Sequence, residues 1–346
     1  MTAFDLEPGE LLFLDRQSVE RLLRPADVLQ RCEDTFRWVG DGKVDQRNPV
    51  NLYLHDRLGP EPEFGHGVVQ AFPAFVQPLE VAAVKWLASF RKNPLRGLPA
   101  ISATGVLNST ETGMPLAIFD ATSVTNFRTG GHAGVGAKYM ARPDSSRIAV
   151  LGCGNGGRSH LRTMAAIFDI ESVTAFDVVA EARRAFAEEM GRELGVEIEE
   201  TESVEVAVGD ADVICVTTTA PAPILFEQWV KPGAHVCATT GFRDVDVGCV
   251  HTFDKFAVGW YGRDLEWIEG EETGRIGGLE PGAVTRSDIH GDLASEIIPG
   301  RVPGRDTETE RTIMSHMGMP ALDAATAHLL YTEAQRTGTG TVLRLF

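Results

Sequence analysis

Residues 147–177 read RIAVLGCGNGGRSHLRTMAAIFDIESVTAFD and carry the strongest structural signal in the chain. The apolar run 148–151 leads into a glycine-rich turn at 152–157, an amphipathic stretch follows, and a second apolar run ends at Asp177. The turn matches the pattern G-x-G-x-x-G, which is informative only in the right surroundings. Here the order of strand, tight turn, helix, strand and acidic residue predicts a dinucleotide-binding βαβ unit.

Each glycine of the turn has a distinct expected role. Gly152 permits the tight turn, Gly154 has no side chain to block a pyrophosphate, and Gly157 lets the helix pack close to the strand. Asn155 and Gly156 lie at the start of the helix, where their N–H groups are expected to contact the phosphates. A βαβ unit with a glycine-rich turn and no ligand is the alternative interpretation.

Asp177 indicates which dinucleotide the unit binds. It follows Gly152 by about 25 residues, close to the spacing of roughly 20 that is typical of these folds. A carboxylate at this position accepts hydrogen bonds from the ribose hydroxyls and repels a 2′-phosphate. The sequence therefore predicts NAD rather than NADP as the cofactor.

Composition limits the possible partners. The chain has 346 residues, 43% of them hydrophobic and 23% charged, which is ordinary for a globular protein and long enough for two domains. A net charge of −17 argues against nucleic acid and anionic membranes as partners. The five cysteines form no C-x-x-C pair, and no signal segment or membrane-length apolar run is found. These features predict reduced thiols and a cytoplasmic location.

The remaining patterns predict two kinds of domain. Before the glycine turn we expect a strand, two helices, an antiparallel sheet and a small-residue helix, at 11–14, 19–23, 26–39, 44–120 and 132–140. After Asp177, strands alternate with helices as in a parallel, doubly wound sheet. Beyond Arg305 we expect helices at 307–314 and 321–337 and a last strand at 341–345, which return to the first domain. The predicted fold class is α/β, a Rossmann sheet plus a discontinuous α+β domain.

Several motifs together resemble the ornithine cyclodeaminase/μ-crystallin family over nearly the whole chain. They are Lys85-Trp86, Asn93-Pro94 with Gly97-Leu98-Pro99, TGMPLA at 112–117, Arg128-Thr129-Gly130, the glycine turn, GRVPGR at 300–305, SHMG at 315–318 and Leu322-Asp323. The resemblance implies a substrate-binding and dimerisation domain at 1–128 and 315–346, and an NAD-binding Rossmann domain at 129–314. It also implies a homodimer with NAD(P) lying across the cleft between the domains.

Two cations are candidates to bind a substrate carboxylate. Lys85 lies within an apolar strand, and alternation is equally consistent with a solvent-facing lysine. The resemblance implies that Lys85 binds the carboxylate beside the nicotinamide, as a catalytic and substrate-binding residue. Arg128 can grip a carboxylate with its guanidinium fork, and the resemblance implies contact with both substrate and cofactor. A salt bridge between domains is the alternative for Arg128.

The resemblance implies further contacts that the sequence supports unevenly. Arg47 is a candidate for a second carboxylate-binding arginine, although a surface loop arginine fits its surroundings as well. His316 would line the substrate pocket and could exchange a proton, whereas a packed or capping histidine is the alternative. Three hydroxyl residues would contact the cofactor, namely Thr218, Thr219 and Ser315.

The proton donor or acceptor is the weakest match. Cyclodeaminases carry Gly-Gly-Asp here, followed by Gly-Lys and Glu-Leu, whereas this chain reads GFRDVDV at 241–247. Asp244 matches the family aspartate only with a shift of one residue, and a solvated charged turn is the alternative. The departure makes ornithine cyclodeamination a weaker expectation than imine reduction.

The resemblance leaves three hypotheses for the activity. The first is an NAD-dependent imine reductase or amino-acid dehydrogenase that acts on the C–N bond of a small α-amino or α-imino acid. The second is a redox-neutral cyclodeaminase, which is an ammonia lyase. The third is a non-catalytic, nucleotide-dependent binder of small molecules. The sequence has no H-E-x-x-H and no His or Cys cluster with ligand spacing, so we predict no metal site.

Overall fold

The structure is a computed structural model that describes residue 4 and residues 6–54, 67–239, 241–270 and 279–346. It divides into two units, Met1–Arg128 with Met319–Phe346, and Thr129–Gly318. The return of the chain to the first unit therefore lies after Gly318 and not after residue 314, because residues 312–316 complete a strand of the second unit.

The first unit is built on one mixed sheet. Its strands are β1 Glu10–Leu14, β2 Val44–Gln46, β3 Val50–Tyr53, β4 Val68–Val76, β5 Val81–Ser89, β6 Ile101–Ser109, β7 Pro115–Asp120 and β16 Thr341–Arg344. The order is β16-β1-β7-β6-β5-β4-β2, with β3 also paired to β4. The pairs from β2 to β7 are antiparallel, whereas β1 runs parallel to β7.

Three helices cover one face of this sheet, namely α1 Arg16–Leu22, α2 Pro25–Gly40 and, from the end of the chain, α9 Pro320–Thr337. Helix α2 buries an apolar stripe that includes Leu29, Cys32 and Phe36, at the spacing of an amphipathic helix. Along β5, Lys85 and Leu87 are buried while Trp86 between them is exposed, as the two-residue period of a strand requires. The helix-covered face is therefore the core of the unit.

The second unit is a parallel, doubly wound sheet. Its strands are β8 Arg147–Leu151, β9 Ser172–Phe176, β10 Ile198–Thr201, β11 Val213–Val216, β12 His235–Thr239, β13 Lys255–Val258, β14 Gly291–Asp292 and β15 Thr312–His316. Their order is β10-β9-β8-β11-β12-β15-β13-β14, and every neighbouring pair is parallel. This arrangement confirms the predicted fold class.

Helices cover both faces of the parallel sheet. Helix α3 Ala121–Met140, which contains the boundary between the units, packs with α4 Asn155–Ala165 and α5 Ala180–Leu194 around one apolar cluster. On the other face, a second cluster takes residues from α6 Val204–Val208, α7 Gly248–Thr252 and α8 Tyr261–Glu269. Among the described residues, no helix has both the length and the apolar character needed to cross a bilayer.

Two sequence predictions of local structure are wrong. In place of the helix expected at 307–314, the structure has strand β15, because Thr312 to His316 are all buried between β12 and β13 and have no exposed face. Helix α3 begins at Ala121 rather than at His132. The carboxylate of Asp120 accepts the N–H groups of Thr122 and Ser123, which satisfies two donors at the start of the helix.

Candidate active site

Lys85 projects into the core of the first unit. In the sheet register it lies between Phe72 on β4 and Gly105 on β6, and Gly105 pairs in turn with Phe119 on β7. The Lys85 ammonium lies 4.1 Å from the centroid of the Phe72 ring. A side chain at Gly105 would collide with the Phe119 ring, which covers that position. The lysine is therefore enclosed by aromatic rings, and the solvent-facing alternative is wrong.

Asp323 joins the two predicted cations. The Lys85 Nζ atom lies 2.7 Å from Asp323 Oδ2, and Arg128 Nε donates to Asp323 Oδ1 at 2.9 Å. Each of the three side chains is at most 7% exposed. Asp323 occupies the first turn of α9, where the helix dipole favours a carboxylate. Through Asp323, helix α9 thus holds Lys85 of β5 and Arg128 of α3 in one charged cluster.

The cluster has more positive than negative charge. Burial lowers the pKa of Lys85 to about 8, although Asp323 opposes this shift, so the ammonium is largely protonated at pH 7. Burial would raise the pKa of Asp323, but Arg128 and Lys85 together hold it below its usual range. Among the described residues, two cations face one carboxylate, which leaves one positive charge that an anionic ligand can compensate.

Arg47 does not join this cluster. It follows β2, its side chain is 77% exposed, and its guanidinium lies 3.4 Å from the Asp45 carboxylate. Its neighbour Gln46 points inward instead, where its side-chain oxygen accepts the N–H of Ala321 at the start of α9. The structure thus brings together Lys85 and Arg128, but not the third predicted cation.

The glycine turn has the geometry that a dinucleotide requires. Gly152 adopts φ +101°, which side chains disfavour, and a Cβ on Gly157 would lie 2.2 Å from the Gly152 carbonyl oxygen. Gly154 is different: its backbone is extended, and a Cβ there would meet no atom of the described chain within 4 Å. The space above Gly154 lies at the N-terminus of α4, where Asn155 and Gly156 begin the helix. These residues fit a pyrophosphate.

Two side chains support the turn. Asp177 accepts the N–H of Cys153 at 2.9 Å and the N–H of Val179 at 3.0 Å. Its carboxylate is therefore oriented at the end of β9, as ribose recognition requires. Thr217, which the sequence did not single out, donates its hydroxyl to the carbonyl groups of Leu151 and Gly152.

Asp244 lies in the same unit, beside the end of β11. Thr218 donates its hydroxyl at 2.8 Å and its N–H at 3.2 Å to Asp244 Oδ2, whereas Thr219 is exposed. Asp244 is buried, and its Oδ1 atom has no hydrogen-bond partner among the described residues. Burial raises the pKa of Asp244 to about 6, against the opposing effect of the Thr218 hydroxyl. The solvated-turn alternative is therefore wrong for this residue.

The end of β15 contributes two further predicted residues. Ser315 is fully buried, and its hydroxyl has no hydrogen-bond partner in the described part of the chain. His316 is buried as well, and its ring stacks on that of His132 with centroids 3.7 Å apart. In the register of the sheet, His316 lies opposite Thr239 on β12. Both residues lie at the carboxyl edge, where parallel sheets bind their ligands.

Comparison with known proteins identifies the family. The sequence profile of the ornithine cyclodeaminase/mu-crystallin family matches residues 10–338. The chain belongs to this family. An alanine dehydrogenase of Archaeoglobus fulgidus is 32% identical over 345 residues, which cover 97% of this chain and 99% of that enzyme.

Two solved structures extend the comparison. The Thermococcus litoralis Δ1-pyrroline-2-carboxylate reductase in complex with NADH and L-proline has a TM-score of 0.86 and 29% identity, covering 96% of this chain and 99% of that one. An archaeal alanine dehydrogenase dimer with bound NAD has a TM-score of 0.84 and 31% identity, covering 97% and 100%.

Within this family member, the structure adds residues to which the sequence gave no role. Asp323 was visible only as part of a tail motif, although a lone acid in the small-residue helix sequence PALDAATA is a usable signal. Thr217 is followed by Thr218 and Thr219, and the sequence does not distinguish its role from theirs. His132 lies in a run of small residues where nothing local indicates a partner. The described residues contain no group of His, Cys, Asp or Glu side chains that could hold a metal ion.

Proposed function

We propose that this chain is an NAD-dependent oxidoreductase that acts on the C–N bond of a small α-amino or α-imino acid. The observation that carries the proposal is the buried cluster of Lys85, Arg128 and Asp323, which retains one positive charge for a carboxylate. The similarity to an alanine dehydrogenase and to a reductase bound to NADH and L-proline supports the same conclusion.

The second unit supplies the cofactor site. The glycine turn and the start of α4 hold the pyrophosphate, and Asp177 accepts hydrogen bonds from the ribose hydroxyls. Thr218, Thr219 and Ser315, together with Arg128 of the first unit, are the other residues we assign to cofactor contacts. When bound, the nicotinamide accepts a hydride from, or donates one to, the α-carbon of the substrate.

Lys85 and Arg128 anchor the substrate by its carboxylate. Asp323 keeps both cations in place, so the guanidinium and the ammonium are oriented before the substrate arrives. This preorganisation lowers the entropic contribution to the activation barrier. The single residual charge matches one carboxylate, which favours substrates with uncharged side chains, such as pyruvate with ammonia or a cyclic imino acid.

Asp244 is the group we assign to proton transfer. Its Oδ2 atom is held by Thr218, while Oδ1 has no hydrogen-bond partner among the described residues and can exchange a proton with the substrate nitrogen or with a water molecule. A pKa of about 6 allows both protonation states near neutral pH. His316 is the second candidate, since it lies at the carboxyl edge of the sheet.

The activity can be tested with a panel of substrates. NADH absorbance is followed with pyruvate and ammonium, with Δ1-pyrroline-2-carboxylate, and with L-alanine and L-proline in the reverse direction, each with NAD(H) and NADP(H). Net turnover of NAD(H) supports the proposal. Release of ammonia from L-ornithine without net change in NADH would identify a cyclodeaminase instead. NADH binding without any turnover would identify a binder.

We further propose that the first unit is the substrate-binding and dimerisation domain, and that the protein is a homodimer. The sheet face opposite the helices carries exposed apolar side chains, since Val50, Ala71 and Trp86 lie in register across three strands. Val50 is 57% and Trp86 49% exposed, as expected for a face covered by a second copy. The dimer with bound NAD among the similar structures supports this assembly.

Light scattering after size-exclusion chromatography tests the dimer. The wild-type chain should elute as a dimer, and Trp86→Glu should shift it toward the monomer. Val206→Glu, at an exposed apolar position of the second unit, is the matched control and should leave the mass unchanged. A wild-type monomer at all concentrations would refute the assembly. We also propose a cytoplasmic location, because all five cysteines are buried and free.

A further inference from the structure

Two buried histidines stack at the carboxyl edge of the parallel sheet. The rings of His132 and His316 have centroids 3.7 Å apart and planes inclined by 20°. His132 comes from helix α3, whereas His316 is the last residue of β15. Both are at most 1% exposed. One face of the His316 imidazole is therefore covered by another imidazole and is closed to any ligand.

The Nε2 atom of the His132 ring lies close to the backbone at Gly259. A Cβ on Gly259, directly after β13, would lie 2.4 Å from His132 Nε2, so the ring lies against bare backbone at that position. A larger residue at 259 would displace the ring. His132 thus contacts Gly259 near Nε2 and the His316 ring through one face, and both contacts restrict its rotation.

The chain following His316 is also held. Asp264 accepts the N–H groups of Gly259 at 2.8 Å and Trp260 at 3.0 Å, and its second oxygen accepts the indole N–H of Trp267 at 2.9 Å. The N–H of Met317 approaches that second oxygen at 3.4 Å. The Asp264 carboxylate therefore connects Gly259, which contacts the His132 ring, with Met317, which follows His316 in the chain.

We propose that His132 is a positioning residue that fixes the orientation of the His316 imidazole. The inference rests on the proposed function, in which His316 is the second candidate for proton transfer. A histidine that exchanges a proton or donates a hydrogen bond must present one edge at a defined angle. Packing of a flat ring against a flat ring restricts rotation about the last side-chain torsion, which is otherwise broad.

A purely space-filling role for His132 makes a different prediction. If the position only needs apolar volume, leucine should serve as well as an aromatic ring. If it needs a flat ring face, phenylalanine should retain the function and leucine should not. The variants His132→Phe, His132→Leu and His132→Ala therefore separate the two roles.

The first measurement does not depend on activity. In protein labelled with ¹⁵N-histidine, the His316 imidazole resonance is assigned by its loss in His316→Gln. Stacking should shift the ring protons upfield through the ring current of residue 132. We expect that shift to persist in His132→Phe and to disappear in His132→Leu. An unchanged His316 resonance in His132→Leu would overturn the proposal, and this result is independent of whether the enzyme turns over.

The second measurement uses the substrate found active in the panel. Relative to wild type, kcat should fall about tenfold in His132→Leu and His132→Ala and stay within about threefold in His132→Phe. The dissociation constant of NADH, measured by fluorescence, should be the same in all variants. Equal kcat in the leucine and phenylalanine variants, or wild-type kcat in the alanine variant, would overturn the positioning role.

His235 provides the matched control. It is a fully buried histidine of the same unit, but it begins β12 at the opposite edge of the sheet and contacts Thr312 at 2.8 Å. His235→Leu should lower the melting temperature without changing kcat of the folded enzyme. A wild-type enzyme without turnover on any substrate would refute the proposed function, whereas the resonance shift would still decide the stacking.

Discussion

Asp323 and Lys85 form a buried ion pair of 2.7 Å that joins a helix at the end of the chain to a strand near its beginning. The second oxygen of Asp323 accepts from Arg128, so one carboxylate holds two cations. A buried charge that loses its partner is strongly destabilising. The cluster therefore contributes to folding, and in the function we propose it also binds the carboxylate of the substrate.

Asp323→Asn should destabilise the protein by about 3–5 kcal/mol, because it leaves two cations buried without a counter-charge. Urea unfolding at pH 7 measures this change. The double variant Asp323→Asn with Lys85→Met should recover part of the loss, since only Arg128 remains charged. Asp41→Asn breaks the exposed pair with Lys43 and should have no measurable effect. If Asp323→Asn and Asp41→Asn changed the free energy of unfolding by the same amount, our account of the cluster would be contradicted.

Lys85→Met should weaken substrate binding without weakening cofactor binding. Loss of one charge-assisted hydrogen bond to the carboxylate corresponds to about 1.5–3 kcal/mol, or roughly a 10- to 150-fold increase in KM. Steady-state kinetics give KM, and NADH fluorescence titration gives the cofactor Kd. A KM within twofold of wild type would remove Lys85 from the carboxylate site.

Gly154→Ala should reduce NADH affinity at least about tenfold while the protein remains as stable as wild type. The added methyl group meets no atom of the described chain within 4 Å, and the backbone at 154 is extended, so only a ligand is obstructed. Calorimetry and thermal melting are the measurements. Gly157→Ala is the contrasting variant: its Cβ would lie 2.2 Å from a carbonyl oxygen, and it should lower the melting temperature. Unaltered NADH affinity in Gly154→Ala would place the pyrophosphate elsewhere.

Asp244→Asn should make the enzyme slower and more stable. Because the folded pKa of Asp244 is about 6, above the usual value for an aspartate, the wild type loses stability as the pH rises from about 4 to about 6. Relative to wild type, Asp244→Asn should therefore raise the free energy of unfolding by up to about 2–3 kcal/mol at pH 8 and leave it unchanged at pH 4. Chemical unfolding at the two pH values tests the stability, and kcat should fall at least about 100-fold. Full kcat in this variant would exclude Asp244 from proton transfer.

Asp177→Asn should relax the preference for NAD over NADP. The amide retains the shape of the side chain but no longer repels a 2′-phosphate, so the ratio of kcat/KM for NAD to that for NADP should fall about tenfold. Kinetics with both cofactors provide the ratio. No change in the ratio would indicate that another residue selects the cofactor.

Local sequence accounts for the parts of the molecule that form from neighbouring residues. The glycine turn, the helix after it and Asp177 lie within one stretch, so glycine conformations and hydrophobic spacing suffice to predict them. Hydrophobic spacing does not predict strand 312–316, because a short segment that is buried on both faces has no period that separates strand from helix.

Contacts between distant residues required the folded chain. Arg128 and Asp323 are 195 positions apart, and Lys85 could have faced either side of its strand until the helices covered one of them. The same holds for His132 and His316, whose stacking follows from where helix α3 lies on the end of β15. The residue types and their short spacings follow from the sequence alone. Which charges and rings are paired follows only from the folded structure, because burial is a property of the whole unit and not of any one segment.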